Sequence, residues 1–387
     1  MSFDIGILKK LMDFTKPTPL KQIKVTSIFV LLFCFLSTSF SIAQEAPKYS
    51  NEFLTLGLGA RALGMGNSYI ASANDVTSGF WNPAGLTRIE DNMQVSLMHA
   101  ELFAGIGKHD FASFATKIDE TSALGVSFIR FGVDNIPNTI DLVDNNGNIN
   151  YNRITSFSVA DYAILISYAK QLGIENLSVG GNVKVIRRVV GDFANAWGFG
   201  LDAGMQYKTG KWRFGAVARD VTSTFNAWSF TLNERTQEVF LLTNNEIPQN
   251  SLEITLPRLI LGVAKEFDFN ESFNLITEVN LINTFDGRRN TVLQTDLVSV
   301  EPSFGFELGF RKMVFFRGGV GNIQQATTID NLPTTSFQPN LGIGVKIKNF
   351  TIDYALTDIG DQSEALYSNI FSLRLDINRK DSQPKRQ

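Results

Sequence analysis

The chain has 387 residues, with 35 Lys and Arg against 38 Asp and Glu, so its net charge at neutral pH is −3. This mildly acidic balance gives no electrostatic reason to expect a nucleic acid partner. The only cysteine, Cys34, lies in a predicted leader, so the mature chain is expected to lack disulfides, thiolate catalysis and cysteine metal ligands. The 32 Phe and 31 Gly favour a β-rich protein with aromatic side chains on its outer face.

Residues 1–43 predict a cleaved secretory signal peptide. The apolar run Val25–Phe40 follows a positively charged flank and ends at Ser41-Ile42-Ala43, a small-x-small cleavage site. A membrane anchor is the alternative, but hydroxyl residues interrupt the run, and a spanning helix needs about 20 apolar residues. Met12 is an alternative start of the chain.

Residues 44–92 predict a periplasmic segment followed by a plug. Leu56–Leu86 is glycine-rich and apolar but has no period of 2 or 3.6. Its backbone polar groups therefore need partners inside a surrounding structure. In its second half Asn82 can bond the backbone of a turn, Pro83 fixes φ, and Gly85 permits a positive φ. We interpret a set of residues here as a structural plug motif: Gly64, Gly66, Trp81, Asn82, Pro83, Ala84 and Gly85.

From residue 93 onward the chain alternates apolar and polar residues with period 2, as in Ser303–Lys312. Many of the segments have about ten residues, the length that crosses a bilayer at a tilt, whereas the strands of a soluble β-sandwich average about 5–6 residues. Fourteen strands are predicted at 93–101, 108–117, 122–131, 157–170, 177–190, 197–208, 211–219, 258–266, 273–282, 303–312, 314–321, 340–348, 350–357 and 367–377. The sequence thus predicts an all-β fold: a 14-stranded antiparallel transmembrane outer-membrane β-barrel over residues 93–377, with an N-terminal plug (hatch).

The links between these strands alternate in length. Those after even-numbered strands are short, whereas those after odd-numbered strands include 132–156, 220–257, 283–302 and 322–339. Short periplasmic turns and long external loops are typical of outer-membrane barrels. Both termini, including the tail 378–387, are therefore expected in the periplasm.

Signals for chemistry are weak, and we predict no enzyme, cofactor or metal site. The glycines of the plug segment lack the strand and the Lys-Ser/Thr of a phosphate-binding loop. His99 and His109 lie on neighbouring strands but without a third ligand or an orienting partner.

Charges of both signs are predicted to face the lumen. We expect them to form a salt-bridge lattice around the plug, and a selective conduction path is the alternative. They are Asp202, Arg213, Arg219, Glu278, Glu307, Arg311, Asp353, Arg374 and Asp376.

The stretch 220–257 is a candidate partner-binding loop, because apolar side chains concentrated in a long external loop mark a contact surface more often than a solvated flap. The candidate contact residues are Phe225, Trp228, Phe230, Phe240, Leu241 and Leu242.

Two runs, Gly59–Gly66 (GARALGMG) and Phe80–Leu86 (FWNPAGL), resemble the PorV/PorQ family of outer-membrane proteins in the type IX secretion system of Bacteroidetes. The Asn-Pro-Ala triplet and the strand count also resemble, more distantly, the long-chain fatty-acid transporter (FadL-like) superfamily. The first resemblance implies a non-enzymatic subunit that docks at the translocon barrel, binds the C-terminal sorting domain of secreted cargo and shuttles the cargo toward surface attachment.

The second resemblance implies an alternative, a FadL-like transporter of hydrophobic small molecules. Such a transporter needs an apolar cavity and a side opening in the wall. The pairs Gly180-Gly181 and Gly318-Gly319 could kink strands to make that opening, or they could be ordinary bulges. The charged, glycine-rich inner face favours a filled barrel.

Overall fold

The computed structural model describes residues 50–143, 147–327, 333–359 and 367–378. The predicted signal peptide and nearly all of the predicted tail lie outside these ranges.

The described residues contain seventeen β-strands. In chain order, β1 to β17 are Met93–Leu102, Gly107–Lys117, Ser122–Asn138, Thr155–Gln171, Leu177–Val190, Ala194–Thr209, Trp212–Arg219, Thr224–Phe230, Ser251–Thr255, Arg258–Asp268, Phe273–Thr284, Leu293–Gln294, Ser299–Phe310, Val314–Thr327, Pro333–Ile347, Phe350–Thr357 and Ser368–Ile377.

Fourteen of these strands close into one antiparallel barrel. β7 pairs directly with β10 and β11 with β13, so β8, β9 and β12 stand outside the ring. The ring closes where β1 pairs with β17, from Met93 opposite Ile377 to Glu101 opposite Asn369. The predicted 14-stranded antiparallel barrel is confirmed.

The wall has an apolar outer face and a polar inner face. On β4, Ile166 is 52% exposed and its neighbour Ser167 is fully buried; on β17, Phe371 is 55% exposed and Ser372 is 8% exposed. Exposed apolar side chains on strand after strand would make a very large patch in water, whereas they match the hydrocarbon of a bilayer. The period-2 pattern therefore records which side of the wall faces lipid.

Residues 50–89 lie inside the barrel and are mostly buried. Two short helices, α1 (Ala60–Gly64) and α2 (Ser78–Trp81), alternate with 3-10 turns at Glu52–Leu54 and Pro83–Arg88. Tyr69 and Ile70 are fully buried between the helices. We call residues 50–89 the plug.

Beyond the wall, α3 (Glu234–Leu242) and a 3-10 turn at Tyr151–Arg153 belong to the long connections. The side chain of Asn233 caps α3 by accepting a hydrogen bond from the amide of Thr236. None of the helices in the described ranges is long and apolar enough to cross a membrane.

The structure changes the predicted boundaries at the long-loop end. β3 continues to Asn138 and β4 begins at Thr155, with a register shift between Val133 and Ile136, so the 132–156 loop is shorter than predicted. The stretch 220–257, predicted as one loop, contains the β8–β9 hairpin and α3; β8 pairs with the outer half of β6. Propensity could not reveal this pairing, because it joins residues 194–199 to residues 225–230, which are distant in the sequence.

Candidate functional site

Glycines on the inner face of the wall let the plug backbone touch the strands. A Cβ at Gly180 would lie 2.6 Å from the backbone of Pro83 and Ala84, and a Cβ at Gly319 would overlap the backbone of Met65 and Gly66. The strand register runs unbroken through both Gly-Gly pairs. The alternative that these pairs are ordinary bulges is therefore wrong, and a kink that opens the wall stays a prediction. Gly180 and Gly319 are contact points for the plug.

Gly64 and Gly66 make the same kind of approach from the plug side. A Cβ at Gly64 would lie 3.0 Å from the Cα of Gly342. Gly66 has a φ of +62°, and a Cβ there would lie 2.7 Å from the amide of Val320. α1 thus ends in backbone-to-backbone contact with β14 and β15, which explains why larger residues do not fit there.

Asn82 joins the plug to itself and to the wall. Its side-chain amide donates to the carbonyls of Ile70 and Met205, each at 3.0 Å, and its Oδ1 accepts from the amide of Ala84. Pro83 then starts the 3-10 turn, where its missing N–H costs nothing. The indole of Trp81 donates to the carbonyl of Leu58 at 2.8 Å.

The predicted role of Gly85 is corrected. Gly85 does not have a positive φ. Its lack of a side chain matters because a Cβ would overlap the carbonyl oxygen of Ala73 and lie 2.8 Å from the hydroxyl of Ser78. Close packing, and not backbone conformation, is what requires glycine here.

Arg61 of α1 is the centre of a buried ion-pair network. Its guanidinium donates two hydrogen bonds of 2.8 Å to Glu307 on β13 and one of 3.2 Å to Asp75. Arg317 approaches the same Glu307 at 2.6 Å. The two hydrogen bonds between Arg61 and Glu307 fix the direction of the Arg61 side chain, and Arg317 helps to hold Glu307 in place.

The other acidic group on Arg61, Asp75, also belongs to the plug. Arg374 on β17 donates to it at 3.0 Å. Burial by itself raises the pKa of the Asp75 carboxyl, but the guanidinium groups of Arg374 and Arg61 outweigh this effect, and the pKa lies below its usual value. Asp75 is therefore ionised at neutral pH and links Arg61 of the plug to Arg374 of the wall.

A second cluster of buried charged side chains lies next to α2. Lys184 contacts Asp202 at 2.8 Å and Asp220 at 2.5 Å. Arg219 donates to the carbonyl of Phe80 at 3.2 Å and lies 4.3 Å from the centre of its ring.

Glu278 on β11 holds the middle of the plug without a cationic partner among the described residues. Its carboxylate accepts from three successive backbone amides, those of Ile70, Ala71 and Ser72, at 2.5, 2.8 and 2.9 Å. The hydroxyl of Ser72 donates to it as well. Three converging N–H groups supply the compensation that a buried carboxylate needs.

Most of the charges predicted to face the lumen do so, and the exception is Arg311. Asp202, Arg219, Glu278, Glu307, Asp353 and Asp376 are buried on the inner face, and Arg213 and Arg374 are partly buried there. Arg311 instead lies in the exposed turn after β13, with a φ of 51°. The period-2 pattern was extended one residue too far, past the end of the strand at Phe310.

The two histidines point to opposite sides of the wall. His99 stands directly opposite Asp110, with Nδ1 and Oδ1 2.7 Å apart, whereas His109 is 2% exposed on the inner face. They cannot share a ligand. In the described part of the chain no group of three or more His, Cys, Asp or Glu side chains is placed to hold a metal ion.

An apolar cavity of about 750 Å³ opens at the long-loop end of the barrel. Of the predicted contact residues, Trp228, Phe230 and Phe240 line it. Leu241 and Leu242, on α3, are 67% and 74% exposed. Phe225 is turned outward on β8, where its ring lies 6.5 Å from that of Phe199.

Sequence reasoning missed the other side of this cavity. Pro137, Ile140, Phe157, Phe193 and Leu252 complete its lining. They come from four separate parts of the chain: the end of β3, the start of β4, the β5–β6 turn and β9. Phe157 begins a predicted strand, and its apolar side chain was the one sequence feature that could have pointed to this part of the lining.

A closed barrel with an apolar outer face and a plugged lumen defines the class: the chain is an outer-membrane β-barrel protein. The family described as "Type IX secretion system protein PorV" matches residues 43–251, which is more than half of the chain. The chain belongs to this PorV family and is an outer-membrane component of the type IX secretion system. No curated protein matches the sequence.

Solved structures show the same fold. The toluene transporter TodX of Pseudomonas putida has a TM-score of 0.52 at 12% identity, covering 84% of this chain and 99% of its own. The CymD monoaromatic hydrocarbon channel has a TM-score of 0.51 at 15% identity, covering 84% and 98%. A FadL homologue of Pseudomonas aeruginosa has a TM-score of 0.47 at 12% identity, covering 82% and 98%. At these identities TodX and CymD show a shared fold alone.

Proposed function

We propose that the protein is a binding and shuttle subunit of the type IX system. In this proposal it docks at the translocon barrel, receives secreted cargo through the cargo's C-terminal sorting domain and passes it toward surface attachment. The barrel serves as a rigid membrane anchor with both termini in the periplasm, and the long connections form the contact surface.

The apolar cavity at the long-loop end carries the proposal. It gives cargo a concave surface, and α3 adds two exposed leucines at its edge. Arg235 of α3 donates to the carbonyl of Val143 at 3.2 Å and lies 3.3 Å from Asp141, so the helix is tied to the β3–β4 connection. Apolar anchors held on fixed elements are the usual source of binding energy at protein interfaces.

The filled lumen favours a barrel that serves as a membrane anchor over a barrel that conducts a ligand. Arg61 and Glu278 attach the plug to the neighbouring strands β13 and β11, and Asn82 attaches it to β6 in another part of the wall. Opening a path would break several buried ion pairs and hydrogen bonds together. Separating one partner of a buried pair typically costs about 3–5 kcal/mol.

The test is co-purification from native outer membrane in mild detergent, using a C-terminal tag. The variant replaces four loop residues together: Phe230→Ser, Phe240→Ser, Leu241→Ser and Leu242→Ser. We expect recovery of the translocon barrel or of cargo sharing a C-terminal sorting domain to fall at least tenfold, while the barrel remains heat-modifiable on a gel.

The matched control is Leu297→Ser. Leu297 is 83% exposed in the connection between β12 and β13, away from the cavity. The control should co-purify partners as the wild type does. Unchanged recovery with the four-residue variant would refute the loop-side contact surface.

A transporter of hydrophobic small molecules is the second candidate. The apolar lining of the cavity favours it, and TodX and CymD, which share the fold, are described as a toluene transporter and a hydrocarbon channel. Recovery of only lipid or a hydrophobic ligand with the tagged protein would favour this reading over the shuttle.

A further inference from the structure

A second cavity, of about 320 Å³, opens at the short-turn end of the barrel. It lies between the end of the plug, at Arg88, and the strand ends that carry Ser178, Lys208 and Arg213. Asn176 in the β4–β5 turn completes one side. Unlike the cavity at the other end, this one is lined mainly by polar and cationic groups.

Two of the three cations that line this cavity, Arg88 and Lys208, have no anionic partner among the described residues. Arg88 donates only to neutral acceptors, the Oε1 of Gln206 and the carbonyl of Asn176, each at 3.0 Å. No ion pair between described residues includes Arg88 or Lys208. Burial and the neighbouring Arg213 both lower the pKa of Arg88, as expected for adjacent cations with too little compensation.

Arg213 has spare donor capacity. One of its terminal nitrogens meets Glu266 at 2.8 Å, but its buried Nε has no hydrogen-bond partner among the described residues. A buried donor without a partner is costly, and an acceptor entering the cavity could relieve it. Glu90 is the one carboxylate in the lining, so cations predominate.

We propose that this cavity binds a carboxylate or phosphate group carried by a small soluble ligand. Guanidinium forks and an ammonium group match the paired oxygens of such anions. Lys208 and Arg213 belong to the inward-facing residues of β6 and β7, so the lipid headgroups around the barrel lie on the opposite face of the wall. The volume accommodates a small molecule or one chain end.

The test is isothermal titration calorimetry on the full protein in neutral detergent at low salt, with inorganic phosphate and citrate as probes. We expect saturable binding of at least one probe to the wild type and binding about tenfold weaker or worse to Lys208→Gln. Lys208 is the residue to change because its side chain makes no hydrogen bond or ion pair to another described residue that the fold would lose. Heat-modifiability confirms that each variant is folded.

The control is Lys211→Gln, which removes the same charge at the same end of the barrel. Lys211 is 58% exposed in the β6–β7 turn and lies 3.3 Å from Asp268, outside the cavity. It should bind the probe as the wild type does. Absence of saturable binding of both probes to the wild type, or equal binding by Lys208→Gln, would overturn the proposal.

The source of the anion is tested in the same cell. Adding anionic phospholipid to the micelles should leave probe binding unchanged. Displacement of the probe by the lipid would assign the site to a headgroup and overturn the soluble ligand. The outcome is independent of cargo binding, because the two cavities lie at opposite ends of the barrel.

Discussion

At the scale of single residues, Glu278 shows how the wall holds the plug. Its two oxygens accept from three backbone amides and one hydroxyl of residues 70–72. In Glu278→Gln the side-chain amide keeps the shape but presents a donor where an acceptor is needed. We expect a loss of about 1–3 kcal/mol, the cost of one unpaired buried donor. It should appear as a lower thermal midpoint of the heat-modifiability transition and as faster proteolysis within the plug.

The control for this variant is Glu271→Gln, which removes the same charge from an exposed residue in the β10–β11 turn. Its thermal midpoint should equal that of the wild type. A Glu278→Gln protein as stable as the control would show that the carboxylate is not what holds residues 70–72.

At the scale of elements, the question is whether the plug moves during function. Ser68 of the plug and Ser303 of β13 have hydroxyl oxygens 2.9 Å apart. The double variant Ser68→Cys/Ser303→Cys should form a disulfide in the oxidising periplasm, because the two side chains are adjacent. Cys34, the only natural cysteine, lies in the predicted leader, so no other thiol is expected to compete. In the shuttle proposal we expect the locked protein to keep supporting secretion of type IX cargo, measured as cargo recovered at the cell surface.

The control crosslink joins two neighbouring wall strands. Ser113 on β2 stands opposite Ser127 on β3, with hydroxyl oxygens 2.8 Å apart, and both can be changed to cysteine. Loss of secretion in the plug-locked variant alone, restored by a reducing agent, would mean that the plug must move. That result would favour the transporter over the shuttle.

The elements also show what the sequence could reveal. The fourteen wall strands were predictable because each has one face in lipid and one in a polar lumen, which gives period-2 alternation, and many are longer than about 5–6 residues, the length of a typical soluble strand. The β8–β9 hairpin was not, since it pairs with an extension of β6 that no local signal marks. The plug was recognisable by its glycines, but which glycine meets which strand, such as Gly180 against Pro83, depends on the closed barrel.

At the scale of the whole molecule, the two ends of the barrel differ. One end carries the long connections, the β8–β9 hairpin, α3 and the apolar cavity; the other carries short turns and the cationic cavity. An outer-membrane barrel places its long loops outside the cell and its short turns in the periplasm. In this orientation the two proposals put cargo binding outside the cell and the anion-binding cavity in the periplasm.

Single cysteines can test that orientation, because removal of residues 1–43 would leave a chain without cysteine. Leu297→Cys lies in a long connection and is exposed, and Glu175→Cys lies in the exposed β4–β5 turn. A membrane-impermeant maleimide added to intact cells should label Leu297→Cys, and should label Glu175→Cys only after the outer membrane is opened. The unchanged protein is the blank, and it stays unlabelled if Cys34 is removed with the leader. Labelling of Glu175→Cys alone in intact cells would reverse the orientation and exchange the compartments assigned to the two cavities.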